Sequence, residues 1–355
     1  MANQSKILTS TKAYNLTAVG DYHSLKIVDV PIPKLKANHV LVKIHAVSLQ
    51  FRDLLIARNA YGHPTPENLV PLSDAAGEIV QLGEEVTGWS TGDRVCANFL
   101  LGRIYGPVTP ANAKTALGHV EPGVLIHYRA FPAESLVHIP PHLSYEEAST
   151  LPCSGLTAWS CIRGPEPVGP GDIILIQGTG GVSIAAMQFA VAFGATVIAT
   201  SSSDEKLNVA KKLGAKHLIN YKTTPNWDEE VLKITNGEGV DHVIEVGGED
   251  TLLKSLNAVK FGGTIHIVGI LASVNFDAPN PNVVRPLIFK AASLRGIHVG
   301  SLHDFQQMNK ALAAYPEITR PVVDKVFAFD EVIEALEYFE AQKHVGKVVI
   351  KVSQD

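Results

Sequence analysis

A glycine-rich turn between Gln177 and Ser183 carries the residue types and spacing that most directly indicate chemistry. The apolar run Ile173–Gln177 leads into it, and the residues 184–190 continue as an apolar helix. Glycine accepts tight backbone angles and leaves no side chain between backbone and ligand, and the N–H groups of a helix start attract anions. The pyrophosphate of a dinucleotide is therefore predicted to bind at Gly178, Thr179, Gly180, Gly181 and Val182. Ser183 departs from the pattern, because a third Gly or Ala usually stands there.

The elements that position this turn alternate strand and helix after Leu143. Such alternation predicts a parallel sheet with helices on both faces. From Lys12 to about Pro140, short strands separated by turns predict a β-rich region. Within it, the Gly- and Pro-rich segment Asn98–Pro132 is predicted to be a packed loop that could form one wall of a pocket. A regular final strand, Lys347–Val352, requires a partner strand.

Composition restricts the partners of this chain. A length of 355 residues suggests about two domains, and a net charge of -5 provides no basic field for nucleic acid or anionic lipid. No apolar run is long enough to cross a bilayer, so we expect a small-molecule substrate and no membrane partner. Three cysteines do not form a disulfide scaffold, which favours the reducing cytoplasm.

Four further motifs, in chain order, resemble landmarks of the medium-chain dehydrogenase/reductase superfamily. They are Ala46–Asp53, Ala75–Val80, Gly88–Val95 and Leu151–Trp159. The resemblance covers essentially the whole chain. It implies an α/β fold with a GroES-like catalytic domain, residues 1–138 and 316–355, and a Rossmann domain with a doubly wound parallel sheet, residues 139–315. It also implies an active site in the cleft between the domains, a C-terminal segment that folds back onto the β domain, and homodimers paired through the last Rossmann strand.

Zinc-dependent members of that superfamily hold the catalytic metal with a Cys, a His and a second Cys. This sequence has Gln50 and Ser73 at the first two positions, and only Cys153 matches the third. Amide and hydroxyl groups are poor zinc ligands, and the four clustered cysteines of a structural zinc are missing from the sequence. We therefore expect no metal. Cys153 is interpreted as a small packing residue near the nicotinamide, with a reactive thiol as the alternative.

The second Rossmann strand ends in Thr200–Ser203, without the Asp or Glu that grips the ribose of NAD. Hydroxyl groups can donate to a 2′-phosphate, which a carboxylate would repel, so NADPH is the predicted cofactor. The predicted phosphate contacts are Ser201, Ser202, Lys206 and Tyr221, the last by resemblance to related reductases. A capping box of Ser202 and Glu205 is a compatible alternative.

The resemblance also assigns further cofactor contacts. Thr157 is expected on the nicotinamide side, and Lys347 at the pyrophosphate or, alternatively, as a plain exposed charge. The loops after the fourth and fifth Rossmann strands are expected to contribute Gly247, Gly269 and Ile270.

Without a metal to polarise a carbonyl, the easier hydride acceptor is a C=C bond conjugated to a carbonyl, or a quinone. The chain is therefore interpreted as an enone or quinone reductase. Tyr61 matches by position the acid of zinc-less enoyl reductases, and Gln50 could donate its amide to the substrate oxygen. Tyr61 could instead shape the pocket and Gln50 hold a loop, while Arg52 and Asp53 are interpreted as structural. The alternatives are a zinc-independent alcohol or aldehyde oxidoreductase and a cofactor-binding protein with little catalysis.

Overall fold

The computed structural model describes residues 9–269 and 282–353. The strands of these residues are β1 Ser10–Leu16, β2 Leu25–Pro31, β3 His39–Ser48, β4 Asp74–Leu82, β5 Arg94–Ala97, β6 Tyr128–Pro132, β7 Leu136–His138, β8 Ile173–Gln177, β9 Thr196–Ser201, β10 His217–Asn220, β11 Val240–Glu245, β12 Val259–Ile267, β13 Ser293–Gly296, β14 Val323–Ala328 and β15 Lys347–Lys351. The α-helices are α1 Phe51–Ala57, α2 Pro110–Ala113, α3 Tyr145–Ala148, α4 Leu156–Ile162, α5 Gly181–Ala192, α6 Asp204–Lys212, α7 Trp227–Ile234, α8 Glu249–Ala258, α9 Val284–Lys290, α10 Leu302–Ala314 and α11 Val332–Glu340.

The chain divides into two compact units. The β-rich unit comprises Met1–Cys153, Ser301–Lys310 and Val323–Asp355, and the α/β unit comprises Ser154–Gly300 and Ala311–Val322. The domain limits drawn from the sequence stay a prediction. Among the described residues, no helix is both long and apolar enough to span a membrane.

The β-rich unit is built on a seven-stranded sheet in which β3 is the most connected strand. The order is β14-β15-β3-β4-β5-β7, and β6 also pairs with β3. β15 lies parallel to β14 and antiparallel to β3, so the final strand finds its partners in the β-rich unit. Val40, Val42 and Ile44 of β3 are at most 2% exposed and contribute to the apolar core of this unit.

The prediction that Asn98–Pro132 is a loop is wrong at its C-terminal end. β6 pairs antiparallel with His39–Lys43, and Phe131 of β6 is only 1% exposed. A charged residue, a small residue and a proline surround that phenylalanine, so the segment shows little hydrophobic periodicity. The strand forms because β3 supplies a hydrogen-bonding edge that is distant in the sequence.

The α/β unit contains the predicted parallel sheet. Its six strands are ordered β10-β9-β8-β11-β12-β13, and every pair is parallel. Ile174 and Leu175 of β8 are fully buried, as expected for a strand covered by helices on both faces. The order reverses between β8 and β11, and ligands of such sheets bind outside the carboxyl ends of the strands at that point.

Candidate active site

The glycine turn follows β8 directly, at the point where the strand order reverses. Gly178 has φ +71°, a left-handed conformation that glycine adopts without strain. Gly180 precedes α5, and a Cβ placed on it would meet no atom within 4 Å, so the space in front of this backbone is open. Ser183 Oγ donates to the Gln177 carbonyl at 2.7 Å and ties the first turn of α5 to the end of β8. The serine therefore fits a dinucleotide turn, as do the neighbouring Thr179 and Val182.

A buried carboxylate organises the loop after β11. Glu245 accepts hydrogen bonds from Gly247 N–H at 2.8 Å and Gly248 N–H at 3.0 Å. Gln177 Nε2 donates to the same carboxylate at 2.7 Å and thereby links the end of β8 to this loop. Glu245 is fully buried. This network could not be predicted from the sequence, because one acid at the end of an apolar strand does not reveal its donors.

The glycines of these loops are required by close packing. A Cβ on Gly247 would lie 2.2 Å from Thr251 Oγ1, whose hydroxyl is held by Glu245 at 2.6 Å. A Cβ on Gly269 would lie 2.6 Å from the Val246 carbonyl. The predicted contact Ile270 lies outside the described residues. Thr157 belongs to α4 of the same unit and is 5% exposed.

The end of β9 brings together two of the predicted phosphate contacts. Tyr221 N–H donates to the Ser201 carbonyl at 3.0 Å, and the Tyr221 side chain is exposed. Lys206 lies in the first turn of α6, two residues after Asp204. The Asp204 carboxylate accepts from Asn220 Nδ2 at 2.7 Å, so this acid is engaged next to the strand end.

The predicted capping box of Ser202 and Glu205 is wrong. α6 begins at Asp204, which makes Ser203 the N-cap, and the Ser203 side chain makes no capping hydrogen bond. The helix starts one residue later than the Ser202–Glu205 spacing requires. Ser202, which is half-buried, therefore has no part in capping α6.

In the β-rich unit, Gln50 occupies a hydrogen-bonded position at the start of α1. Its Nε2 donates to Asp74 Oδ2 at 2.7 Å, and its backbone N–H donates to Asp53 Oδ2 at 2.8 Å. Asp74 also accepts from Ser73 Oγ at 2.6 Å and from Cys153 N–H at 2.9 Å. The three positions at which zinc-dependent relatives have metal ligands are thus joined through one carboxylate.

Burial sets the protonation of this polar cluster. It raises the pKa of Asp74, and the nearby Lys347 ammonium opposes that rise. Burial also raises the pKa of the Cys153 thiol, which disfavours the reactive thiolate. Within residues 9–269 and 282–353, no three His, Cys, Asp or Glu side chains gather as a metal site.

Lys347 is buried in the β-rich unit. Only 5% of the residue is exposed, and its Nζ donates to the Leu49 carbonyl. The alternative of a plain exposed charge is therefore wrong: β15 is an interior strand between β14 and β3. Desolvation lowers the pKa of Lys347, and the carboxylates of Asp74 and Asp53 oppose that effect.

A second group of side chains in the β-rich unit surrounds Arg52, and we call it the Arg52 cluster: Arg52, Tyr61, Phe99 and His119. The guanidinium carbon lies 5.1 Å from the Tyr61 ring centroid and 4.9 Å from that of Phe99. The rings of Tyr61 and His119 meet edge to face at 5.6 Å. Burial, followed by the charge of Arg52, lowers the pKa of His119, which favours the neutral ring. His119 and Phe99 were missed from the sequence because they belong to the segment without periodicity.

A doubly wound sheet with a glycine turn at its switch point, in one chain with a β-rich unit, is typical of two-domain oxidoreductases that use a nicotinamide cofactor. Residues 36–141 match the family model of the alcohol dehydrogenase GroES-like domain, and residues 181–314 match that of the zinc-binding dehydrogenases.

Relatives of similar length support the same class. The chain is 45% identical over 337 residues to a zinc-type alcohol dehydrogenase-like protein of Schizosaccharomyces pombe, covering 94% of this chain and 97% of the relative. It is 27% identical over 357 residues to a quinone oxidoreductase of Sus scrofa, covering 99% of each. A crystal structure of an NAD-dependent alcohol dehydrogenase superposes with a TM-score of 0.86 at 30% identity, covering 96% of this chain and 100% of that one. The chain belongs to the medium-chain dehydrogenase/reductase superfamily and is an oxidoreductase of that family.

Proposed function

We propose that this protein is an NADPH-dependent reductase of the activated C=C bond of α,β-unsaturated carbonyls, or of quinones, and that it works without zinc. The proposal rests on the hydrogen bonds made by the residues at the positions where zinc-dependent relatives have metal ligands. Gln50 and Ser73 both donate to Asp74, and neither an amide nor a hydroxyl is a competent zinc ligand. A substrate whose carbon skeleton accepts hydride directly suits such a site better than an unactivated carbonyl.

NADPH, when bound, supplies the hydride. On an enone, the hydride adds to the β-carbon, the C=C electron pair moves to the bond between the α-carbon and the carbonyl carbon, and the carbonyl oxygen gains negative charge. A proton then adds to the α-carbon and restores the carbonyl. On a quinone, the corresponding oxygen is protonated, and the ring carbon that received the hydride then loses a proton while the second oxygen gains one, so hydroquinone forms. Tyr61 is the proposed proton donor, since it carries a hydroxyl group and its ring lies next to the Arg52 guanidinium.

NADPH is favoured over NADH by the residues at the end of β9. The strand ends in serines, and Tyr221 follows β10 with its backbone held to Ser201. Asp204, the nearest acid, is already paired with Asn220. Hydroxyl groups together with the Lys206 ammonium suit a 2′-phosphate. The proposed pyrophosphate seat is the turn from Gly178 to Val182.

The test follows NADPH oxidation with cyclohex-2-enone, a benzoquinone and a simple aldehyde, after treatment with a chelator. We expect turnover of the first two, with cyclohexanone and hydroquinone as products. Turnover of the aldehyde alone would support the second candidate, a zinc-independent alcohol or aldehyde oxidoreductase. The similarity to the S. pombe alcohol dehydrogenase-like protein and to the NAD-dependent alcohol dehydrogenase favours this candidate. No turnover of any of the three would favour a cofactor-binding protein with little catalysis.

We further propose a homodimer that pairs through β13. This strand stands at the edge of the parallel sheet that the described residues form, and four apolar side chains of β12 and α9 are largely exposed: Phe261 73%, Val284 63%, Ile288 70% and Phe289 65%. Exposed apolar patches beside an open strand edge are typical of subunit interfaces. Light scattering after gel filtration should give twice the chain mass, and Ile288→Glu should shift it toward the monomer. A monomeric parent protein would contradict the proposal.

The cytoplasm is the proposed compartment. Cys96, Cys153 and Cys161 are all free thiols, and Cys96 and Cys161 are buried. Free thiols persist in a reducing environment. Cell fractionation of the tagged protein tests this, and recovery in a secreted or vesicular fraction would contradict it.

A further inference from the structure

Arg52 is a buried cation whose hydrogen-bond donors have no acceptor. The residue is 8% exposed, and its Nε, NH1 and NH2 atoms make no hydrogen bond with any described residue. A guanidinium carries five N–H donors, and a buried donor left without an acceptor costs about 1–3 kcal/mol. The geometry therefore points to an acceptor that residues 9–269 and 282–353 do not supply.

Other buried or half-buried arginines of this chain behave differently. Arg94 NH2 donates to the Leu143 carbonyl at 2.6 Å, and Arg129 NH1 donates to the Gly123 carbonyl at 2.9 Å. Arg295 NH1 donates to the Ser160 carbonyl at 2.7 Å. Each of these arginines ties one segment of backbone to another, as a structural arginine does. Arg52 makes no such tie, which argues against the structural interpretation drawn from the sequence.

Two aromatic rings stabilise the guanidinium of Arg52. Its carbon lies over the rings of Tyr61 and Phe99, and these cation–π contacts do not use its N–H groups as hydrogen-bond donors, so these groups are left for a ligand. Asp53 Oδ1 lies 3.5 Å from Arg52 NH1, close enough to balance the charge but without a hydrogen bond to it. His119 Nε2, whose ring meets that of Tyr61 edge to face, also lacks a hydrogen-bond partner among the described residues.

We propose that Arg52 donates to the carbonyl oxygen of the substrate and stabilises the negative charge that this oxygen gains during hydride transfer. This inference rests on the proposed function and deepens it, because it assigns the charge-stabilising role to Arg52 rather than to Gln50. The Gln50 amide is already engaged with Asp74, whereas the Arg52 donors are not engaged. Because Asp53 balances the resting charge, the substrate class is uncharged in the ground state, an enone or quinone rather than a carboxylate.

The test uses 4-nitrophenol, whose phenolate resembles an enolate oxygen and absorbs differently from the phenol. At a pH just below the ordinary pKa of this compound, the parent protein should bind the phenolate form. Arg52→Met should weaken that binding about 10-fold to 10²-fold, the range for one hydrogen bond to a charged group. Arg58→Met removes the same charge from the end of the same helix, where Arg58 pairs with Glu340, and should change the binding little. Arg52→Lys should restore part of it.

Activity and stability supply independent measurements. With cyclohex-2-enone, Arg52→Met should lower kcat and kcat/KM together by about 10²-fold, since the interaction is made with the charge of the transition state. Its unfolding midpoint in urea shows whether the variant is folded under the assay conditions, because the substitution also leaves the buried Asp53 carboxylate without its ion-pair partner. Phenolate binding by a folded Arg52→Met variant that equals that of the parent protein would overturn the proposal. If Arg52→Met does not fold, Arg52→Lys provides the test. Phenolate binding by that variant below a tenth of the parent value would refute a site that stabilises the oxyanion by charge.

The two proposals can fail separately. If the parent protein binds phenolate through Arg52 but reduces neither enone nor quinone, the oxyanion site stands and the proposed reaction is wrong. If it reduces enones while Arg52→Met retains the parent kcat, the reaction stands and the Arg52 inference is wrong.

Discussion

The raised pKa of the buried Asp53 carboxylate predicts how the free energy of unfolding changes with pH. Burial raises the pKa of Asp53 from 3.8 to about 6, although Arg52 opposes the rise. At 1.36 kcal/mol per pKa unit, that difference corresponds to about 3 kcal/mol. The native state holds the proton more tightly than the unfolded chain, so this carboxyl group contributes full stability below pH 3.8, and the contribution is lost as pH rises through about 6.

Asp53→Asn removes this titration while its amide oxygen can still accept from the Gln50 N–H. The free energy of unfolding of the variant, relative to the parent protein, should therefore rise by about 2 kcal/mol between about pH 4.5 and pH 8. The ion pair between Asp53 and Arg52, at 3.5 Å, is already included in this difference, because the Arg52 charge is one of the causes that set the pKa of Asp53.

Urea unfolding at a series of pH values measures this difference. Trp89 belongs to the β-rich unit, so a background of Trp159→Phe and Trp227→Phe makes its fluorescence report that unit alone. Asp29→Asn, which removes an exposed negative charge from the same unit, is the control. A difference between Asp53→Asn and the parent that stays within about 0.5 kcal/mol across the series would refute the burial argument.

Three further predictions concern the cofactor and the acid. Lys206→Ala should weaken NADPH binding by about 1.5–3 kcal/mol in a fluorescence titration and leave NADH nearly unchanged, and an equal loss for both would contradict the 2′-phosphate assignment. Tyr61→Phe should lower kcat about 10²-fold without changing the NADPH dissociation constant, whereas a change in KM alone would indicate only a pocket wall. Glu245→Ala should lower the free energy of unfolding by about 3 kcal/mol or more, because Gly247 and Gly248 lose a buried acceptor; calorimetry that finds an unchanged melting temperature would disprove that role.

The parallel sheet could be predicted from the sequence because its signals are local. β8 has its predicted limits and α5 contains the apolar helix predicted over residues 184–190, since an apolar run, a glycine turn and an apolar helix follow one another without interruption. The final strand was predicted equally well from its regularity. Ser183 was identified as a departure, but its bond to the Gln177 carbonyl depends on how the turn folds back, which the sequence does not specify.

The side-chain clusters could not be predicted because their members are distant in the chain. Glu245 and Gln177 are separated by 68 positions, and nothing in either strand identifies the other as a partner. Arg52 was interpreted as structural because an acid follows it directly. Its distinguishing property, buried N–H groups without an acceptor among the described residues, depends on the tertiary contacts that bring Tyr61 and Phe99 next to it.

The bridge from Gln177 to Glu245 divides the nucleotide site into separable parts. The network links the end of β8 to the loop after β11, where the strand order reverses, whereas the residues proposed to select the 2′-phosphate lie at the end of β9. Cofactor preference could therefore change during evolution, or be redesigned in the laboratory, by substituting residues such as Ser202 without altering the part that is proposed to bind the pyrophosphate. A change of electron donor from the NADPH pool of the cell to the NADH pool would then require only a few surface substitutions.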